Sequence, residues 1–131
     1  MEKQGKYSKA KADQRLLLGK KAEAMAVAWL EARGMRILER NFRCPLGEID
    51  IIGEMGGVLV IVEVRSRSSA AWGTPAESVG RYKRQKLKRL AAYYRQCRGK
   101  ENSPCRFDVL GLLVNEEGLG LSQIQWIADA F

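Results

Sequence analysis

Asp50 and Glu63 are carboxylates set inside two strand-like runs, G-E-I-D-I-I-G from Gly47 and V-L-V-I-V-E-V-R from Val58, where a purely structural strand would carry apolar residues. Period-two alternation groups Glu48, Asp50 and Ile52 on one face of the first run, and Leu59, Ile61, Glu63 and Arg65 on one face of the second. A glycine-rich turn lying within Gly53 to Val58 would join the runs as a hairpin. Registers that leave a four-residue loop put Asp50 and Glu63 on the same face, as direct or diagonal neighbours. Two carboxylates about 5 Å apart repel by about 3 kcal/mol at an effective dielectric near 20, so positive charge belongs between them. The residues leave two sources open. One is a hard divalent cation such as Mg²⁺, which suits an all-oxygen site with few protein ligands. The other is Arg65 or Arg43, which would make a structural ion-pair cluster.

Two further charged residues fall on apolar helical stripes. Lys83 projects near the middle of a stripe that includes Ala76, Val79, Leu87, Leu90, Ala91 and Tyr94, so it either snorkels outward or meets negative charge. Glu23 lies on the flank of the stripe Leu18, Ala22, Met25, Ala26, Trp29 and Leu30, either as a solvated boundary residue or at the edge of the buried layer.

The elements that must hold these side chains follow from pattern and punctuation. A helix is predicted from Asp13 to Arg33, stopped by Gly34. Met35 to Arg43 reads as a strand, Pro45-Leu46-Gly47 turns the chain, and the charged hairpin completes a three-stranded antiparallel meander. Ser66 to Gly73 reads as a small-residue loop in which Trp72 packs. Thr74-Pro75-Ala76-Glu77 fits a capping box with proline at the first helical position, so a second helix is predicted from there to about Gly99. Cys105 to Val114 is a fourth strand, and after a turn bracketed by Gly118 and Gly120, Leu121 to Ile127 is a last strand or short terminal segment. Residues 1–11 read as a flexible basic arm and 12–131 as a single α/β domain, a central mixed sheet flanked by helices.

Composition narrows the chemistry. The 131 residues carry a formal charge of +8, which favours a polyanionic partner such as nucleic acid. Few acids interrupt the second helix, where Arg81, Arg84, Lys86, Lys88 and Arg89 form a basic surface suited to phosphates; Arg43 and Arg67 extend it. Histidine is absent, which excludes His-dependent triads and zinc-hydrolase motifs within the chain. Three widely spaced cysteines, with no C-x-x-C, suggest packing in a reducing compartment rather than disulfides or zinc. No apolar run is long enough to span a bilayer and no signal-peptide core is visible, so the expected location is cytoplasmic, with no membrane partner.

With these elements in order, the motifs G-K-K-A-E-A-M-A at 19–26, N-F-R at 41–43, G-E-I-D at 47–50, E-V-R-S-R at 63–67, R-F-D-V at 106–109 and the final Ala130-Phe131 resemble the YraN family of uncharacterised bacterial proteins. That family is itself similar to Holliday-junction resolvases and the PD-(D/E)xK nucleases. The resemblance implies a restriction-endonuclease-like core, a metal (Mg²⁺ or Mn²⁺) on Asp50 and Glu63 with the Val64 carbonyl as a further ligand, and Glu23 as a helix-borne acid near it. It also implies structured or branched DNA as substrate, and a homodimer, as among resolvases. The lysine expected two residues after Glu63 is Arg65, which stays protonated and can only orient or stabilise charge; Lys83 is the candidate replacement amine. Two functions compete on this basis. One is a metal-dependent endonuclease acting through Glu23, Asp50, Glu63, Arg65 and Lys83, and the other is a non-catalytic nucleic-acid-binding protein on the same fold.

Overall fold

The computed structural model describes residues 20–67, 74–114 and 121–131. Helix α1 is described over 20–32 and is followed by strands β1 (Arg36–Cys44), β2 (Gly47–Met55) and β3 (Val58–Arg67), helix α2 (Arg81–Cys97), and strands β4 (Cys105–Val114) and β5 (Leu121–Ile127). The strands form one mixed sheet in the order β1-β2-β3-β4-β5. All neighbours are antiparallel except β3 and β4, whose parallel pairing requires the α2 crossover. The predicted order of helix, meander, helix and strands is the order observed.

Each helix covers one face of the sheet. On one side Ala22, Ala26, Val27 and Leu30 of α1 pack on Ile51, Val60, Val62, Leu110 and Leu112. On the other, Leu87, Leu90, Ala91 and Tyr94 of α2 pack on Ile52, Leu59, Ile61 and Val109. Strand β3 lies at the centre, and Leu59 to Glu63 are buried without interruption. A strand covered on both faces loses the polar half of its alternation, which is why this run reads as nearly all apolar.

The charged hairpin closes more tightly than expected. Met55 pairs with Val58 across a two-residue turn, Gly56-Gly57, with φ of 54° and 79°. Two successive positive φ values are what such a short hairpin turn needs and what glycine supplies. The register, Ile51 opposite Val62, is one of those that align Asp50 with Glu63.

Two expectations need correction. The second helix begins at Arg81, not at Thr74. Thr74 does cap locally, its Oγ1 accepting the Glu77 N–H at 3.2 Å, but the turn ends within residues 75–79 and Gly80 is extended (φ −71°, ψ 169°). Pro75 is drawn instead against Gly111 of β4, whose missing side chain makes room for the ring. Met25 is 44% exposed rather than part of the α1 core, and Val27 takes that place. Helix α1 ends as expected at Gly34 (φ 96°), with the Met35 N–H returning to the Leu30 carbonyl at 3.1 Å. The basic arm, the predicted helix start at Asp13, Leu18, Trp72 and the turn at Gly118 to Gly120 lie outside the described residues. Among the described residues no helix is long and apolar enough to cross a membrane.

Candidate functional site

Strand β2 breaks its alternation where the site begins. Ile49 and Ile52 both reach the α2-side cluster although they are three residues apart, while Ile51 goes to the α1 side. Across from this kink, between the pairs Arg40–Ile51 and Phe42–Ile49, sits Asn41 with φ 53°. Asparagine is among the few non-glycine residues that adopt this conformation readily.

Past the last β2–β3 backbone pair, Ile51–Val62, the Asp50 side chain reaches across to β3. Its Oδ2 accepts the N–H of Val64 on β3 at 2.9 Å, which holds the carboxylate beside Glu63. Glu63 itself is only 7% exposed. Burial, reinforced by the negative charge of Glu63 and a hydrogen bond to it, pushes the Asp50 carboxyl from 3.8 up to about 7; the Val64 amide and the Lys83 charge pull the other way but do not prevail. Two carboxylates have thus been brought together in a poorly solvated place, and the ordinary form of one of them is destabilised.

Lys83 supplies the compensating charge. Its Nζ lies 3.4 Å from Glu63 Oε2, with the side chain about a third exposed, so the lysine that interrupts an apolar stripe meets negative charge. The arginines that could have served instead do not. Arg43 pairs with Glu48 at 3.5 Å on the surface, and Arg65 makes no ion pair with either acid. Arg65 shares the Glu63 face of β3 by alternation, and its Nε is buried without a hydrogen-bond partner among the described residues.

Glu23 reaches the site indirectly. Its Oε2 accepts from Asn41 Nδ2 at 3.1 Å, tying α1 to the kink opposite Asp50. Among the described residues no three His, Cys, Asp or Glu side chains gather closely enough to hold a metal. The pair that could serve as metal donors is Asp50–Glu63. It lacks the four ligands of a structural zinc site, but it fits Mg²⁺, which keeps several waters and takes one or two carboxylates together with a substrate phosphate.

The basic residues of α2 divide into two groups. Arg84 is committed to structure: its Nε donates to the Val79 carbonyl at 2.8 Å, its Nη2 to that of Ala76 at 3.2 Å, and its guanidinium lies over the Phe131 ring. The stem of Lys86 lies across Gly47. Arg81, Lys88 and Arg89 are exposed and make no ion pair with a described residue, whereas Arg67 lines a cleft.

Sequence reasoning missed Asn41 as the link between Glu23 and the kink, although its tolerance of positive φ was a usable signal. It also missed the fully buried Asp108. That carboxylate accepts from Arg106 Nε at 3.0 Å, Trp126 Nε1 at 2.9 Å and the Asp129 N–H at 2.9 Å. It anchors the C-terminal segment, where the Ala130 N–H donates to the Phe107 carbonyl and Phe131 stacks on Phe107.

Comparison with known proteins places these features in a family. The model of "Uncharacterised protein family UPF0102" matches residues 22–112, a span that runs from α1 through the hairpin and α2 into β4. A UPF0102 protein of Moorella thermoacetica is 52% identical over 99 residues, 76% of this chain and 82% of its own. One of Pelotomaculum thermopropionicum is 46% identical over 120 residues, covering 92% and 99%, and one of Hahella chejuensis is 46% identical over 115 residues, covering 87% and 89%. At this similarity, over most of the length of each, the chain belongs to the uncharacterised protein family UPF0102, the YraN family that its motifs resemble.

Proposed function

We propose that the protein is a metal-dependent phosphodiesterase acting on structured or branched DNA. The observation that carries this reading is the Asp50–Glu63 pair: two adjacent carboxylates, one of them with its carboxyl pushed up to about 7, facing a single lysine. A bound Mg²⁺ or Mn²⁺ would supply the charge that stabilises both carboxylates and polarises a phosphodiester. Asp50 and Glu63 would hold it; Val64 contributes the N–H that fixes Asp50, and its carbonyl is the further ligand implied by the family resemblance.

The chain's own residues account for the rest. Lys83, beside Glu63 in the first turn of α2, is placed to stabilise negative charge developing on the phosphate, and Arg65 flanks it on the same sheet face. Glu23 and Asn41 hold the kink that aims Asp50. Arg81, Lys88 and Arg89 grip the backbone without reading bases. A homodimer would present two such sites to a branched substrate.

One observation favours a second reading, a nucleic-acid-binding protein that does not cut. Arginine stands where a lysine is expected, and the Lys83 Nζ is engaged by Glu63. Cleavage of branched, flap and linear DNA in Mg²⁺ or Mn²⁺, by the native chain and by Asp50→Ala and Glu63→Ala, separates the two. The hydrolase reading expects cutting by the native chain alone. Equal cutting by all three proteins overturns the site, and binding without cutting under every condition establishes the second reading.

A further inference from the structure

Beyond Glu63, strand β3 carries two arginines that each bury one donor without an acceptor among the described residues. Arg65 Nε and Arg67 Nη1 are both buried, and neither has a hydrogen-bond partner among the described residues. A guanidinium does not give up its proton, so a buried N–H without an acceptor is a standing cost that an anion's oxygen would remove. By alternation Glu63, Arg65 and Arg67 share one face, with the arginines about 7 Å and about 13 Å beyond the carboxylate. That step is comparable with the distance between successive phosphates of a nucleic-acid strand.

Arg67 opens into a cleft of about 220 Å³, lined also by Thr74, Pro75, Gly111, Gln123 and Gln125. Gln123 pairs with Leu113 and Gln125 with Gly111 across β4 and β5, so both glutamines share the face on which Pro75 meets Gly111. Each amide offers a donor and an acceptor, the pairing capacity that base edges require. Among the described residues no carboxylate lines the cleft, and Arg67 is the charged group that faces it. The volume exceeds what a phosphate group fills and is far too small for a duplex, but it suits a single nucleotide unit.

We propose that this cleft is a nucleotide subsite, in which Arg67 binds a backbone phosphate and Gln123 and Gln125 the edge of an unpaired base, with Arg65 holding the phosphate between it and Asp50–Glu63. The path along β3 rests on the hydrolase reading; the subsite does not. It also narrows the substrate class, because a base seated there has left its duplex, as at a flap, junction or single-stranded tail.

The test is a metal-free NMR titration of the native chain with deoxyadenosine monophosphate, inorganic phosphate and a short single-stranded oligonucleotide. The mononucleotide and the oligonucleotide should shift the side-chain amides of Gln123 and Gln125 and the Arg67 Nε–H, while phosphate shifts Arg67 alone. Arg67→Gln should weaken mononucleotide binding at least tenfold. Gln125→Ala, an exposed position that leaves the fold intact, should weaken the mononucleotide but not phosphate. Undisturbed glutamine amides, equal effects of phosphate and nucleotide, or native affinity in both variants would each overturn the proposal. Because no metal is present, the result stands apart from the cleavage assay: loss of cutting leaves the subsite intact, and an empty cleft leaves the Asp50–Glu63 reading intact.

Discussion

Burial and the neighbouring Glu63 disfavour the charged form of Asp50, and this pKa direction has a measurable consequence. The folded chain binds the Asp50 proton more tightly than the unfolded chain does, since the carboxyl moves from 3.8 up to about 7. Metal-free stability should therefore fall as pH rises from about 4 to about 7 and then level off. Asp50→Asn, which keeps the shape and removes the charge, should stabilise the metal-free protein on the order of 2 kcal/mol at pH 8, flatten that pH profile in thermal melts, and abolish stabilisation by Mn²⁺. Lys83 gives a separate expectation. Lys83→Met should leave Mn²⁺ binding by calorimetry intact but slow cleavage by roughly a hundredfold, the lower range for loss of a positioned charged group. Arg65→Lys should not replace it, because Lys83 rather than residue 65 contacts Glu63.

The elements that carry these residues were legible to different degrees, for physical reasons. Alternation with an even-numbered glycine turn puts Asp50 and Glu63 on one face, whether the loop has two residues or four, so their meeting was readable from the sequence. The kink was not, because it depends on Asn41 and Asp50 facing each other across two strands. Thr74 to Glu77 forms its cap as the sequence suggests, yet the burial of Pro75 on Gly111 and the extended Gly80 stop the helix there. Arg84 and the cleft glutamines were hidden for a similar reason: their partners lie on other elements. The C-terminal anchor is another tertiary feature, and it can be tested. Asp108→Ala would leave Arg106 and the Trp126 and Asp129 N–H groups without their common acceptor, at a cost of about 3–5 kcal/mol. The expected readout is a lowered thermal midpoint with early hydrogen exchange over residues 126–131, while the β2–β3 hairpin stays protected.

For the molecule as a whole, positive charge is the dominant long-range property, and part of it is committed internally. Arg84, Arg95 and Arg106 spend their donors on carbonyls or a buried carboxylate, whereas Arg81, Lys88 and Arg89 remain available to a polyanion. Replacing those three with alanine should reduce the slope of log affinity against log salt by about 2–3 in anisotropy titrations on DNA, whereas Arg84→Ala should lower stability instead. The parallel pairing of β3 with β4 bears on the order in which the site comes into being. The hairpin that aligns Asp50 with Glu63 forms from residues close in sequence, but Lys83 arrives only when α2 docks and the crossover closes. Until then the growing sheet holds two opposed carboxylates with no cation beside them. Refolding should accordingly be faster at pH 6 than at pH 8, and divalent metal should cancel that difference, making the ion an aid to assembly as well as to chemistry.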